Sequence, residues 1–220
     1  MELDGIHHIT CITADAPGNV DFYARLLGLR MVKKTVNFDA PDVYHLYYGD
    51  ERGAPGSILT FFEFPDAARG RDGAGMIHRL RWRVASAEAL DFWTERLSGE
   101  EIGVERVEDG SAIRFEDPEG LGLELAVTDS GDEPLAAAAV DIPAEHALQG
   151  FDGVRVYGHG RDQEHAILTG AMGFEQTAPG EYRDHLGEQL RLPPQHEHLR
   201  DRLEASLTPL ANPRASAHRP

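Results

Sequence analysis

Residues 6–28, IHHITCITADAPGNVDFYARLLG, and residues 77–99, IHRLRWRVASAEALDFWTERLSG, share several residues at an offset of 70. His8 falls on His78, Asp21-Phe22-Tyr23 on Asp91-Phe92-Trp93, and Leu27 on Leu97. A histidine and an Asp-Phe-aromatic triplet matching at one offset is a poor candidate for coincidence. An internal repeat constrains the whole fold, so it is read before any single element.

Each copy has the same order of local patterns. An extended run (5–13 and 76–84) precedes a segment with apolar residues near a 3.6 period: Val20, Tyr23, Leu26 and Leu27, then Leu90, Trp93 and Leu97. Gly28 and Gly99 follow as helix stops. Three strand-like runs come next: LRMVKKTVNF, VYHLYYG and SILTFFEF in copy one, IGVERVE, SAIRFED and LGLELAV in copy two. A weaker third copy starts at Gly150, where GFDGVRVYG matches GIHHITCIT and MGFEQ matches LGLRM at an offset of 145. Its Gly153 stands where copy one has His8.

The expected fold is therefore α+β, built from repeated βαβββ modules whose curved mixed sheets surround a cleft. Residues 1–128 are expected to hold two modules (1–68 and 69–128) paired with each other. Residues 129–149 would be a linker, 150–193 a degenerate third module, and 194–220 a helical or disordered tail. An unpaired third module would bury its apolar sheet face in a homodimer interface.

The chain has 38 acidic and 21 basic residues, a formal net charge of −17. That field argues against nucleic acid and anionic membranes as partners. Only Lys33 and Lys34 are lysines, a balance that suits a salt-adapted host or a GC-rich genome. The lone Cys11 rules out an internal disulfide, and no signal peptide or membrane span is evident, so a cytoplasmic protein is expected.

In GIHHIT (5–10), adjacent side chains of a strand point to opposite faces, so only one histidine faces a given interior. His7 aligns with Ile77 and His8 with His78, which favours His8. In the last strand of copy two, Glu124 lies between the small residues Gly122 and Ala126, with room beside its carboxylate. Copy one carries Glu63 in its own last strand. Two imidazoles and one carboxylate, His8, His78 and Glu124, would form a facial triad with open positions, suited to Fe(II), with Mn(II) or Zn(II) as alternatives. His45 and Tyr47 share one face of YHLYYGD as candidate acid–base groups beside a phenolic substrate. His196 and His198, two residues apart, share no helix face and receive no metal role.

With GIHHIT, DFYARLLGLRMVKKTVNFD, YHLYYGDERGAPGSILTFF and DPEGLGLEL on the page, the chain resembles the vicinal oxygen chelate superfamily. Within it, the chain is similar to ring-cleaving dioxygenases associated with hydroquinones. The resemblance implies a metal-dependent opening of a catechol- or hydroquinone-type ring by O2. It maps the first metal histidine onto His8 and draws the other two ligands from a fourth module, whose nearest equivalents in this sequence are His78 and Glu124. Two rival readings use the same scaffold. One is a glyoxalase-like isomerase or lyase with Glu63 as ligand or base; the other is a metal-free protein that sequesters an aromatic compound.

Overall fold

The computed structural model describes residues 5–68, 70–128, 130–158, 164–184 and 189–191. The expected tail, with His196 and His198, lies outside the described residues.

Copy one begins with β1 (His8–Thr13), in which Ile9 and Thr13 are buried while His8, Thr10 and Ile12 face outward. Asp15 then caps α1 (Ala16–Val20), its carboxylate accepting from the Gly18 N–H at 3.1 Å. The helix widens into a π-helical turn (Asp21–Leu26) that buries Phe22, Tyr23 and Leu26. Gly28, at φ +71°, turns the chain in a region that favours glycine. Strands β2 (Arg30–Val36), β3 (Tyr44–Gly49) and β4 (Ile58–Glu63) complete a four-stranded sheet in the order β1-β4-β3-β2. Its β1–β4 pair is parallel and the others are antiparallel.

Copy two repeats the pattern. It comprises β5 (Ile77–Val84), α2 (Ala87–Gly99), the short β6 (Glu105–Arg106), β7 (Ala112–Glu116) and β8 (Gly122–Val127). Ser86 caps α2 by accepting from Ala89. Copy three comprises β9 (Phe151–Val156), a π-helical turn (Ala166–Ala171), β10 (Glu175–Ala178), β11 (Glu181–Arg183) and β12 (Gln189–Arg191).

The copies do not pair as the sequence suggested. Copies two and three form one eight-stranded sheet, β10-β11-β12-β9-β5-β8-β7-β6, joined by antiparallel pairing of their first strands β5 and β9. Copy three thus continues the sheet of copy two through the edges of their first strands. Copy one keeps its own sheet, with β1 at one edge.

The main apolar core draws on both sheets, and a smaller cluster forms around Leu168 and Tyr182 in copy three. The main core includes Tyr23, Leu27, Leu46, Tyr48 and Phe61 from copy one and Leu80, Trp82, Leu90, Trp93 and Leu125 from copy two. The segment expected to be a linker enters this core through Ile142 and Leu148, and the His146 carbonyl accepts from Trp93 Nε1 at 2.7 Å. It is therefore more than a spacer. Tyr23 ties the units together, donating to buried Asp117 at 2.9 Å. No helix among the described residues is long and apolar enough to cross a membrane.

The ladders also correct the repeat alignment. His8 pairs with Ile58 and Thr13 with Glu63 in copy one, while Arg79 pairs with Gly122 and Val84 with Val127 in copy two. By register, the counterpart of His8 is Arg79, one residue beyond His78. The helix caps Asp15 and Ser86 are likewise 71 residues apart, whereas the buried aromatics Tyr23 and Trp93 are 70 apart. Copy one has one extra residue between cap and aromatic. A π turn accommodates such an insertion without breaking the helix.

Candidate functional site

One face of the four-stranded sheet packs on the core and the other is open. On the open face, Ile12, Phe62, His45 and Thr35 form one cross-strand row, and Thr10, Thr60, Tyr47 and Lys33 form the next. His8 projects from the same face at the start of β1. Strand alternation puts His45 and Tyr47 here and sends Leu46 and Tyr48 into the core, as the sequence pattern predicts.

Tyr47 and His45 form a coupled pair. The phenol oxygen lies 2.8 Å from His45 Nδ1, and the two rings are 4.1 Å apart. Phe62 covers the imidazole from the neighbouring strand, with ring centroids 3.8 Å apart. His45 Nε2 is shielded from water and has no hydrogen-bond partner among the described residues. Burial, then the positive charges of Lys33 and His8, pulls the His45 pKa below its ordinary value. At neutral pH the imidazole is therefore neutral and able to exchange a proton with Tyr47. Lys33 Nζ lies 5.6 Å from the centre of the Tyr47 ring, over its face. Replacing Lys33 with glutamine is expected to raise the His45 titration midpoint, as followed by its imidazole NMR signals. An unchanged midpoint would remove Lys33 from the electrostatics of the pair.

The three expected metal donors are not brought together. His8 is exposed on the four-stranded sheet, its Nδ1 3.1 Å from that of His7. His78 lies on the other sheet and stacks on Tyr157, with centroids 4.0 Å apart. A bulge in the β5–β9 pairing lies at His78, between Ile77 and Arg79.

Glu124 is 1% exposed and enclosed by arginines. Arg114 donates to Oε2 at 2.8 Å, Arg155 donates to both oxygens at 3.1 and 2.9 Å, and Arg81 approaches Oε1 at 3.2 Å. Burial pushes this carboxyl's pKa up, but the hydrogen bonds and charges of the arginines outweigh it and hold the pKa at about 2. Three guanidinium groups occupy the positions a metal cation would need. The room inferred from Gly122 and Ala126 is thus filled by neighbouring strands.

Glu63 also lies elsewhere. It is on the core side of β4 and accepts from the Ala16 N–H at 3.0 Å, capping the first turn of α1 rather than facing His8. Cys11 offers no nucleophile, because burial and the nearby Asp117 charge push its thiol pKa to about 12. Among the described residues, no group of three His, Cys, Asp or Glu side chains is arranged to hold a metal ion.

Sequence reasoning passed over the arginines around Glu124. The signal was present in RLRWRV (79–84), where arginines at alternate positions mark one strand face.

Comparison with known proteins accords with this architecture. Residues 5–125 match the model of the Glyoxalase/Bleomycin resistance protein/Dioxygenase superfamily. The chain is 37% identical over 182 residues to the Bacillus subtilis protein named "Putative ring-cleaving dioxygenase MhqA", covering 81% of this chain and 58% of that one. It is 37% identical over 155 residues to the chlorohydroquinone/hydroquinone 1,2-dioxygenase of Sphingobium indicum, covering 68% of this chain and 48% of that one. A crystal structure described as a "putative dioxygenase" from Bacillus subtilis superposes with a TM-score of 0.80 at 35% identity, covering 89% of this chain and 66% of that one. The chain thus spans about half to three-fifths of the curated relatives it matches. With the repeated βαβββ units and their curved sheets, these matches show that the chain belongs to the Glyoxalase/Bleomycin resistance protein/Dioxygenase superfamily.

Proposed function

We propose that this protein acts in the oxygen-dependent opening of a hydroquinone- or catechol-type ring, and that the open face of the four-stranded sheet receives the aromatic. The observation that carries the reading is the convergence of His8, the His45–Tyr47 pair and Phe62 on that face. An aromatic diol needs an apolar wall for its ring and a proton acceptor for its hydroxyl. Phe62 and Ile12 supply the first, and neutral His45 relayed through Tyr47 supplies the second. Lys33 would favour the phenolate that results. The names of the relatives, including a hydroquinone dioxygenase, support the same substrate class.

The reaction breaks one ring carbon–carbon bond and adds both oxygen atoms to the product, with the ring as electron source. The family resemblance attaches this chemistry to Fe(II), with Mn(II) or Zn(II) as alternatives. The described residues do not fit that metal as a complete set, since His8 is the one expected donor on this face. His8 would be the first ligand, with the other donors from outside the described residues, from further chain or from a second copy.

The test is oxygen uptake by the purified protein with hydroquinone and catechol, with and without added Fe(II), alongside binding measured by intrinsic fluorescence. Uptake of one O2 per ring opened, reduced at least ~10-fold in Tyr47→Phe, is the expected result. Binding without uptake would replace this reading with the metal-free sequestering protein. Turnover that persists without oxygen would replace it with the isomerase.

A further inference from the structure

The open face of the four-stranded sheet changes character along its strands. At one end stands His8, then the row of Thr10, Thr60, Tyr47 and Lys33, where the Thr60 hydroxyl donates to that of Thr10 at 3.1 Å. The next row is Ile12, Phe62 and His45, with Thr35 at its far edge. His45 Nε2 is shut off from water there. One residue past the last ladder pair, Thr13–Glu63, comes Phe64, whose N–H donates to the Thr13 carbonyl at 2.8 Å. Its ring lies 6.5 Å from that of Phe62. The face thus runs from rows that carry hydroxyls and an imidazole to an apolar end.

That end is longer than one ring needs. Phe64 is six residues beyond Ile58, the ladder partner of His8, a distance of about 20 Å at about 3.3 Å per residue. A single aromatic ring with its hydroxyls covers less than half of that length. A diol held near His8 and Tyr47 and packed on Phe62 therefore leaves Phe64 bare. Ile12 is 60% exposed and Phe64 37%, and Phe38, in the β2–β3 connection at the same end of the sheet, is 95% exposed. Single exposed apolar side chains are ordinary on a surface, whereas several gathered at one end of a binding face mark a contact. The backbone bond to β1 also holds Phe64 in place beside Phe62.

We infer that this end receives an apolar arm of the substrate: the ring to be opened carries a substituent about the size of a second ring, which lies along Ile12 and Phe64. This substrate class rests on the function proposed above, which supplies the reacting diol. One pose then satisfies both ends of the face. The hydroxyls meet the polar rows, and the arm takes water off the apolar end.

Phenylhydroquinone is the probe and hydroquinone its armless analogue, titrated calorimetrically without oxygen so that both stay reduced. Phenylhydroquinone should bind at least ~10-fold tighter, a gain that burial of about 55 Å² of apolar surface supplies. Phe64→Ser should cut this preference at least ~3-fold. Val140→Ser, which removes a fully exposed apolar side chain from the segment between copies two and three, should leave it as it was. Equal affinity for the two diols, a preference that survives Phe64→Ser, or one that Val140→Ser cuts as deeply, would overturn the arm site. Should Phe64→Ser fail to fold, the Ile12 methyl NMR signal of the unmodified protein decides the matter. It should shift further with phenylhydroquinone than with hydroquinone, and equal shifts would overturn the site. Oxygen uptake keeps the two readings apart. Uptake with hydroquinone but no binding preference would overturn the arm site alone. A preference without uptake from either diol would uphold the arm site and remove the dioxygenase reading.

Discussion

Replacing Glu124 with alanine is expected to destabilise the fold by about 3–5 kcal/mol, the usual cost of breaking a buried ion pair from one side. The carboxylate is 1% exposed and satisfies Arg81, Arg114 and Arg155 together. Its removal leaves like charges facing one another from three strands, β5, β7 and β9, that meet around it. For a chain of this size the melting midpoint should fall by roughly 10 °C. Urea unfolding monitored by tryptophan fluorescence measures the loss directly, and a shift below ~1 kcal/mol would show that the network is not structural. The same carboxylate makes stability depend on acid. Its pKa drops from 4.5 in the free side chain to about 2 in the fold. Its contribution, about 3 kcal/mol, is complete above pH 4.5 and is lost as pH falls from there towards about 2. In the alanine variant that part of the acid dependence should vanish.

The second large effect concerns two histidines that the sequence treats alike. On the proposed reading, His8→Ala should lower oxygen-dependent ring opening at least ~100-fold, beyond the ~10–100-fold typical of residues that only support a metal ligand. His78→Ala should leave turnover within about twofold of the parent. His8 is exposed on the face that carries His45 and Tyr47, whereas His78 is stacked on Tyr157 in the other sheet. His78→Ala should appear instead as modest destabilisation, since it removes a ring contact beside β9. Equal loss of activity in both variants would mean that the two positions serve one site, contrary to their placement on separate sheets. Full activity in His8→Ala would remove the first metal ligand and with it the dioxygenase reading.

The sequence by itself determined the repeated unit, the strand faces and the helix ends, because these depend on local periodicity. Period-two alternation in YHLYYG correctly divided His45 and Tyr47 from Leu46 and Tyr48, and the 3.6-residue spacing found the core faces of both helices. Its preference for His8 over His7 rested on a gapless alignment whose register did not survive, and both histidines are exposed. The extra residue before Tyr23 is invisible in a comparison that matches both the histidines and the aromatics, yet it shifts β5 against β1 by one position. The ladder counterpart of His8 is Arg79, so an error too small to disturb the repeat assigned the wrong residue to the ligand position. Which copies pair was decided only by tertiary structure. Any first strand has a free edge and an apolar face, and nothing local distinguishes β1 from β9 as the neighbour of β5. The environment of Glu124 was decided there too, because Arg114 and Arg155 reach it from strands that only the completed sheet sets beside β8 and β5.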